Sequence, residues 1–276
     1  MTKTWQTLAL CLLSCRLVQA FDLNDLDIEK AVSGGSKLAK AVGGLSNEDE
    51  IAVGREVAAN LAARFGLVED SAKVRYVNLV GQAVVRHCDR NKLPYHFGIL
   101  HTSEINALAA PGGYIFVTQG LLESLKDESQ LAGVLAHEIT HVVRQHVVKA
   151  IRQANLLEAG QDLAAATGNG TDKYGQLSDF SINLLSKGLS RDDELEADKE
   201  GTLLAAKVGY DALGLRQSIE ALAVKQQADL FLARFNKTHP PSADRLKAID
   251  KVLASQHLSS SGEHLADRFA RSLPKK

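Results

Sequence analysis

The chain is short of cysteine, has no long apolar run beyond its first residues, and has no dominant charge. Each shortage narrows what it does. Three cysteines occur in 276 residues, and Cys11 and Cys15 lie within the first twenty. A chain cut after Ala20 keeps only Cys88 and forms no internal disulfide. It must then be held by its apolar core alone, which about 256 residues can supply. Beyond the N-terminus no apolar stretch reaches the roughly 18 residues of a helical membrane span. Lys and Arg number 32 against 33 Asp and Glu. Loss of Lys3 and Arg16 with a leader leaves 30 against 33, a net charge of −3, which argues against a nucleic-acid partner.

The start is of another kind. "MTKTWQTLALCLLSCRLVQAF" has an early lysine, an apolar run from Leu8 to Leu13 and a small-residue ending at Val18-Gln19-Ala20. Residues 1–20 thus have the layout of a secretory signal peptide, with an apolar run too short to span a bilayer. Leu12-Leu13-Ser14-Cys15 also resembles a bacterial lipoprotein box, which would attach the chain to the outer membrane through Cys15. Arg16 departs from that pattern. Residues 21–45, which include "VSGGSKLAKAVGGL", read as a flexible N-terminal segment.

Helices dominate the rest of the chain. Ser46-Asn47-Glu48-Asp49 resembles a capping box opening a helix that ends at Gly66, and Asp70-Ser71 opens a second. Pro94 stops that helix. "YHFGILHT" alternates as a strand does, and "INALAAPGGYIFVTQG" places two apolar runs around Pro111-Gly112-Gly113, a hairpin or bulged edge. One small sheet is therefore expected at 95–118. Asp127 caps a long helix over 128 to about 158, apolar nearly all round and so central and buried. A polar glycine-rich loop covers 167–176. Further helices are expected near 177–187, 191–208, 211–228 and 241–254, with a loosely ordered polar tail over 257–276.

Within the central helix stands "LAHEITH". Residues four apart share a helical face, so His137 and His141 can aim two imidazole nitrogens at one ion. Glu138 sits about 100° round from His137, beside such an ion, where it can take a proton from water. A catalytic zinc needs a third protein ligand and an open position. The metzincin pattern would place glycine at 144 and histidine at 147. Arg144 and Val147 stand there instead and exclude that class. The other common solution is a carboxylate from a second helix. In "SRDDELEADKEG", Glu194 and Asp198 are four apart: the first can ligate, and the second can hydrogen-bond an imidazole N–H and fix its tautomer. Glu196 and Glu200 point elsewhere, toward solvent. His146, about 140° off the ligand face, reads as a surface or helix-end residue. His87, His96 and His101 have no partner spacing. A purely structural zinc module is disfavoured, because such sites close with four cysteine or histidine ligands.

Four ordered motifs, "NALAAPGGYIFVTQGLL", "LAGVLAHEITHV", "ELEADKEG" and "THPPSADRL", resemble those of metallopeptidase family forty-eight, the HtpX, CAAX prenyl protease and Oma-type group. The similarity spans about 46–254, within a metallopeptidase domain placed at 46–256. The absence of internal spans makes the chain look like the exported periplasmic BepA- or LoiP-like branch. The resemblance implies a zincin-type gluzincin fold, mainly α with a small β-sheet beside the active-site helix. It also implies one Zn2+ per chain on His137, His141 and Glu194, with Glu138 as general base and Asp198 behind a ligand. It places Asn106, Ala107, Leu108 and Ala109 along the substrate cleft, where a strand edge pairs with extended peptide. His239 either occupies the open zinc position or hydrogen-bonds the oxyanion; Arg245 either supports it or pairs with a carboxylate. The implied substrates are unfolded or misassembled envelope polypeptides, in protein quality control. A latched, chaperone-like protein with His239 closing the site is the alternative.

Overall fold

Ser46 opens the first helix in the manner expected. Its hydroxyl accepts from the Asp49 N–H, and the Asp49 carboxylate accepts in return from the Ser46 backbone. The computed structural model describes residues 45–153, 173–228, 239 and 243–274. The leader with Cys15, the segment to residue 44, the start of the glycine-rich loop and Pro240-Pro241 lie outside the described residues.

Helix α1 (Asn47–Phe65) ends on Gly66 and helix α2 (Ser71–Val85) is capped by Asp70. Strands β1 (His96–Leu100), β2 (Ala107–Ala110) and β3 (Tyr114–Thr118) form one sheet in the order β1-β3-β2. The expected hairpin is present: β2 runs antiparallel to β3, Ala107 opposite Val117, with the Pro111–Gly113 turn between them. β1 lies parallel to β3 on its other side. Both faces are covered. Phe97, Ile99, Ala107, Ala109, Ile115 and Val117 face one cluster, whereas Leu100, Leu108, Ala110 and Phe116 face another built with α1. Two buried faces explain why β2 and β3 read as continuous apolar runs and do not alternate. Gly54 lets α1 lie on the turn: a Cβ there would fall 1.9 Å from the Pro111 carbonyl oxygen.

After the short helix α3 (Gln119–Ser124), Asp127 caps α4 (Glu128–Val143), whose residues are buried from Glu128 to Val142. The long helix expected to residue 158 is in fact broken. Arg144 ends α4, Gln145 adopts φ 55°, and α5 (His146–Gln153) starts on a new axis. Glu50, buried on α1, fixes that break by accepting from both Arg90 terminal nitrogens, from Gly112 N–H and from the Gln145 amide. Arg90 also donates to the Val142 carbonyl at the end of α4.

Helices α6 (Lys173–Lys187), α7 (Arg191–Val208), α8 (Gly214–Ala228) and α9 (Ala243–Ser255) follow, with α7 laid along α4 and α9 joined to α8 by Leu215, Ile219, Ile249 and Leu253. The stretch after 257 differs from the loose tail expected of it. The His264 carbonyl accepts from the Glu128 and Ser129 N–H groups and so caps α4. Helix α10 (Ala266–Ser272) then buries Phe269 and brings Arg268 onto the Glu128 carboxylate. No helix among the described residues is long and apolar enough to cross a membrane.

Candidate metal centre

The centre is built where α4 and α7 touch. Gly201 allows the approach, since a Cβ there would lie 2.8 Å from His137 N. It stands seven residues past Glu194 and three past Asp198, so one face of α7 presents all three to α4. His137 Nε2 and His141 Nε2 face each other at 3.0 Å. Glu194 Oε2 is 3.6 Å from the first, and its Oε1 is 3.5 Å from the second. His239 joins them: its Nδ1 lies 2.8 Å from Glu194 Oε1 and 3.4 Å from His137 Nε2. Ligand atoms of His137, His141, Glu194 and His239 all lie within 4.8 Å of one another. Glu138 is buried beside them, its Oε1 3.6 Å from His239 Nε2.

The residues fit a metal ion on their own terms. Two buried imidazole nitrogens 3.0 Å apart repel each other unless a proton or a cation lies between them. Glu138 Oε2 and Glu194 Oε2 are buried with no hydrogen-bond partner among the described residues, a costly state for a buried oxygen. Two imidazoles and a carboxylate oxygen are a borderline donor set.

Behind the ligand atoms stands a layer of braces. Asp198 Oδ1 is 3.1 Å from His137 Nδ1 and turns the opposite ring nitrogen inward. Arg245, 5% exposed, donates twice to Asp198, at 2.7 and 2.6 Å, and once to the His239 carbonyl at 3.1 Å. Arg245 thus pairs with a carboxylate and also holds the backbone of His239. Burial alone would raise both carboxyls, but charged neighbours prevail. His239, His137 and Arg245 bring Glu194 down to about 2, and Arg245 and His137 hold Asp198 well below the usual range. Burial lowers His239, yet Glu194 and Glu138 outweigh it and push the ring up to about 9. Glu138 moves the other way, raised chiefly by burial. Burial likewise drives His141 well below the ordinary histidine value.

The cleft beside Glu138 is walled by Asn106 and Ala107 from the sheet, Val134 from α4, and Leu215, Ile219 and Leu222 from α8. β2 is the sheet edge on this side. Leu108 and Ala109 bury their side chains and leave only backbone for that edge. His87, His96 and His101 stand apart from the centre, as their spacing implied.

One expectation needs correction. His146 is not a surface residue: it is 1% exposed, with Nδ1 2.7 Å from His141 Nδ1. The break at Gln145 swings it back toward the ligand face, and no glycine or proline marks that break in the sequence. Glu196 and Glu200 point away from the centre and stay half-exposed, as expected, and each also has a partner: Glu196 accepts from His146 Nε2 at 3.1 Å, and Glu200 pairs with Arg144.

The model of peptidase family M48 matches residues 71–253, more than half of the chain. The chain belongs to peptidase family M48. Its sites therefore sit in an M48 domain, and by family it is a metallopeptidase. This M48 chain is 28% identical over 212 residues to the β-barrel assembly-enhancing protease of Escherichia coli K12, an alignment covering 73% of the chain and 43% of that protein. It is 28% identical over 258 residues to the metalloprotease YcaL of Escherichia coli K12, with 92% and 99% covered. With the mitochondrial metalloendopeptidase OMA1 of Schizosaccharomyces pombe it shares 33% over 180 residues, 64% of the chain and 52% of that protein. The chain thus spans less than half the length of the β-barrel assembly-enhancing protease.

Proposed function

We propose that this M48 chain is a zinc-dependent endopeptidase acting on unfolded or misassembled polypeptides of the bacterial envelope. The observation that carries the reading is the convergence of His137, His141 and Glu194 with buried Glu138 beside them. In this reading the three ligands hold one Zn2+ per chain. When bound, that ion polarises the scissile carbonyl and acidifies the attacking water. Glu138, its carboxyl raised by burial, accepts a proton from the water and delivers it to the leaving amine. Asp198, held by Arg245, keeps the His137 ring oriented. The backbone of Asn106 and of β2 through Ala109 pairs with an extended substrate, and the apolar wall opposite receives a side chain. The same reading places the chain outside the cytoplasm, free in the periplasm or anchored through Cys15, on the signal-peptide-like layout of residues 1–20.

The test is Glu138→Gln, with bound zinc and casein cleavage both measured. The variant is expected to retain zinc and lose cleavage, and a fully active variant would overturn the mechanism.

A second reading is favoured by one observation: His239 already lies within reach of Glu194 and His137. In it, His239 latches the site and the protein serves mainly as a chaperone-like factor. A large gain of cleavage in His239→Ala supports latching, whereas a loss assigns His239 to the reaction.

A further inference from the structure

The two histidines of α4 both turn Nε2 inward, so each must hold its own proton on Nδ1 to offer a lone pair there. For His137 the group facing that proton is a carboxylate, with Asp198 Oδ1 3.1 Å from Nδ1. For His141 it is another imidazole: Nδ1 of His141 and Nδ1 of His146 are 2.7 Å apart. With both rings neutral, one proton lies between these atoms, and two arrangements are possible.

In the first, His141 Nδ1–H donates to His146 Nδ1. The lone pair of His141 Nε2 then faces His137 and Glu194. The proton of His146 sits on Nε2, where Glu196 Oε2 accepts it at 3.1 Å and Asp193 Oδ1 lies 3.5 Å away. In the second, His146 Nδ1–H donates. The proton of His141 is forced onto Nε2, the atom facing the centre, and the bare lone pair of His146 Nε2 confronts two carboxylates. Electrostatics select the first.

We propose that His146 is a positioning residue whose Nδ1 lone pair, set by Glu196 and Asp193, holds the His141 proton on Nδ1 and turns the Nε2 lone pair of His141 toward the metal. The break at Gln145 is what makes this possible. A continuous helix would carry residue 146 about 140° away from residue 141.

The inference rests on His141 being a metal ligand, and the experiment keeps the two apart. Zinc affinity is measured by chelator competition in wild type, His146→Asn and His146→Leu, with the thermal midpoint of each metal-stripped protein. Asn places an oxygen near the site of Nδ1 and accepts from His141; Leu fills more of the volume and accepts nothing. The expected result is a zinc affinity weakened about 10–100-fold in His146→Leu and near wild type in His146→Asn. The opposite order, Leu near wild type and Asn weakened, would assign His146 to packing and overturn the inference. Equal affinity in all three overturns it too, whereas a wild type that binds no zinc defeats the metal reading itself. Should His146→Leu fail to fold, long-range proton–nitrogen NMR of the wild type reads the tautomer directly. A proton on His146 Nε2 supports the inference, and one on Nδ1 refutes it.

Discussion

At the scale of single residues, the centre is governed by charge placed where water is absent. Arg245 and Asp198 form a bidentate pair with both groups buried, and Arg245 Nη1 also lies 3.5 Å from Glu194. Removing one partner of such a pair leaves an uncompensated charge, at a cost of about 3–5 kcal/mol. Arg245→Met is therefore predicted to lower the thermal midpoint of the metal-stripped protein sharply. Arg245→Lys, which keeps the charge but not the fork, should fall between the two. A melt of Arg245→Met matching wild type would show that the pair carries no net stability. The choice between Glu194 and Glu196 as the proposed third ligand is equally local. Glu194 points into the centre, while Glu196, two residues on, faces His146 and Arg144. Bound zinc, counted by mass spectrometry, should disappear in Glu194→Ala and persist in Glu196→Ala; the reverse would reassign the ligand.

At the scale of elements, the centre exists because α4 and α7 come closer than side chains normally permit. Gly201 is the point of contact, with His137 N and Cα both within 3 Å of where a Cβ would be. Gly201→Ala must push the helices apart or bend one of them, at about 1–3 kcal/mol. Glu194 and Asp198 should be carried away from the histidines as this happens. Both a lower thermal midpoint and a weaker zinc affinity are expected, and a variant that loses neither would deny Gly201 that role. Much of this arrangement is legible in the sequence. The i, i+4 spacings of His137 with His141 and of Glu194 with Asp198 are properties of a helix, and helices are set locally. The hairpin at Pro111-Gly112-Gly113 is legible because its turn chemistry is local too. What stays hidden depends on distant residues. Apolar periodicity runs through Arg144-Gln145 without a breaker, and the break is imposed by Glu50 and Arg90 from elsewhere in the chain. His146 reads as a surface residue for that reason alone. The parallel pairing of β1 with β3 likewise leaves no mark in either strand.

At the scale of the whole molecule, Glu128 joins the chain's end to its centre. Fully buried at the start of α4, it accepts from the hydroxyls of Tyr76 on α2 and Tyr210 after α7, and from Arg268 on α10. Phe269 beside Arg268 is itself buried. The helix carrying His137, Glu138 and His141 is thus anchored at its N-terminus by a segment that composition alone marks as a tail. Burial would raise the Glu128 carboxyl, but the hydrogen bonds from Arg268, Tyr76 and Tyr210 prevail and hold it below the ordinary value. A carboxyl depressed in the folded state stabilises that state above its unfolded pKa of about 4.3, and the contribution is lost as pH falls through the lower folded value. Glu128→Gln carries no such titration. At neutral pH it should melt below wild type, having lost the ion pair with Arg268. On acidification toward about pH 3 the wild type should lose more of its midpoint than the variant, so that the two curves converge. Melting curves of the metal-stripped proteins across that range read the outcome free of ligand protonation at the centre. Parallel curves would mean that Glu128 is not ionised in the fold.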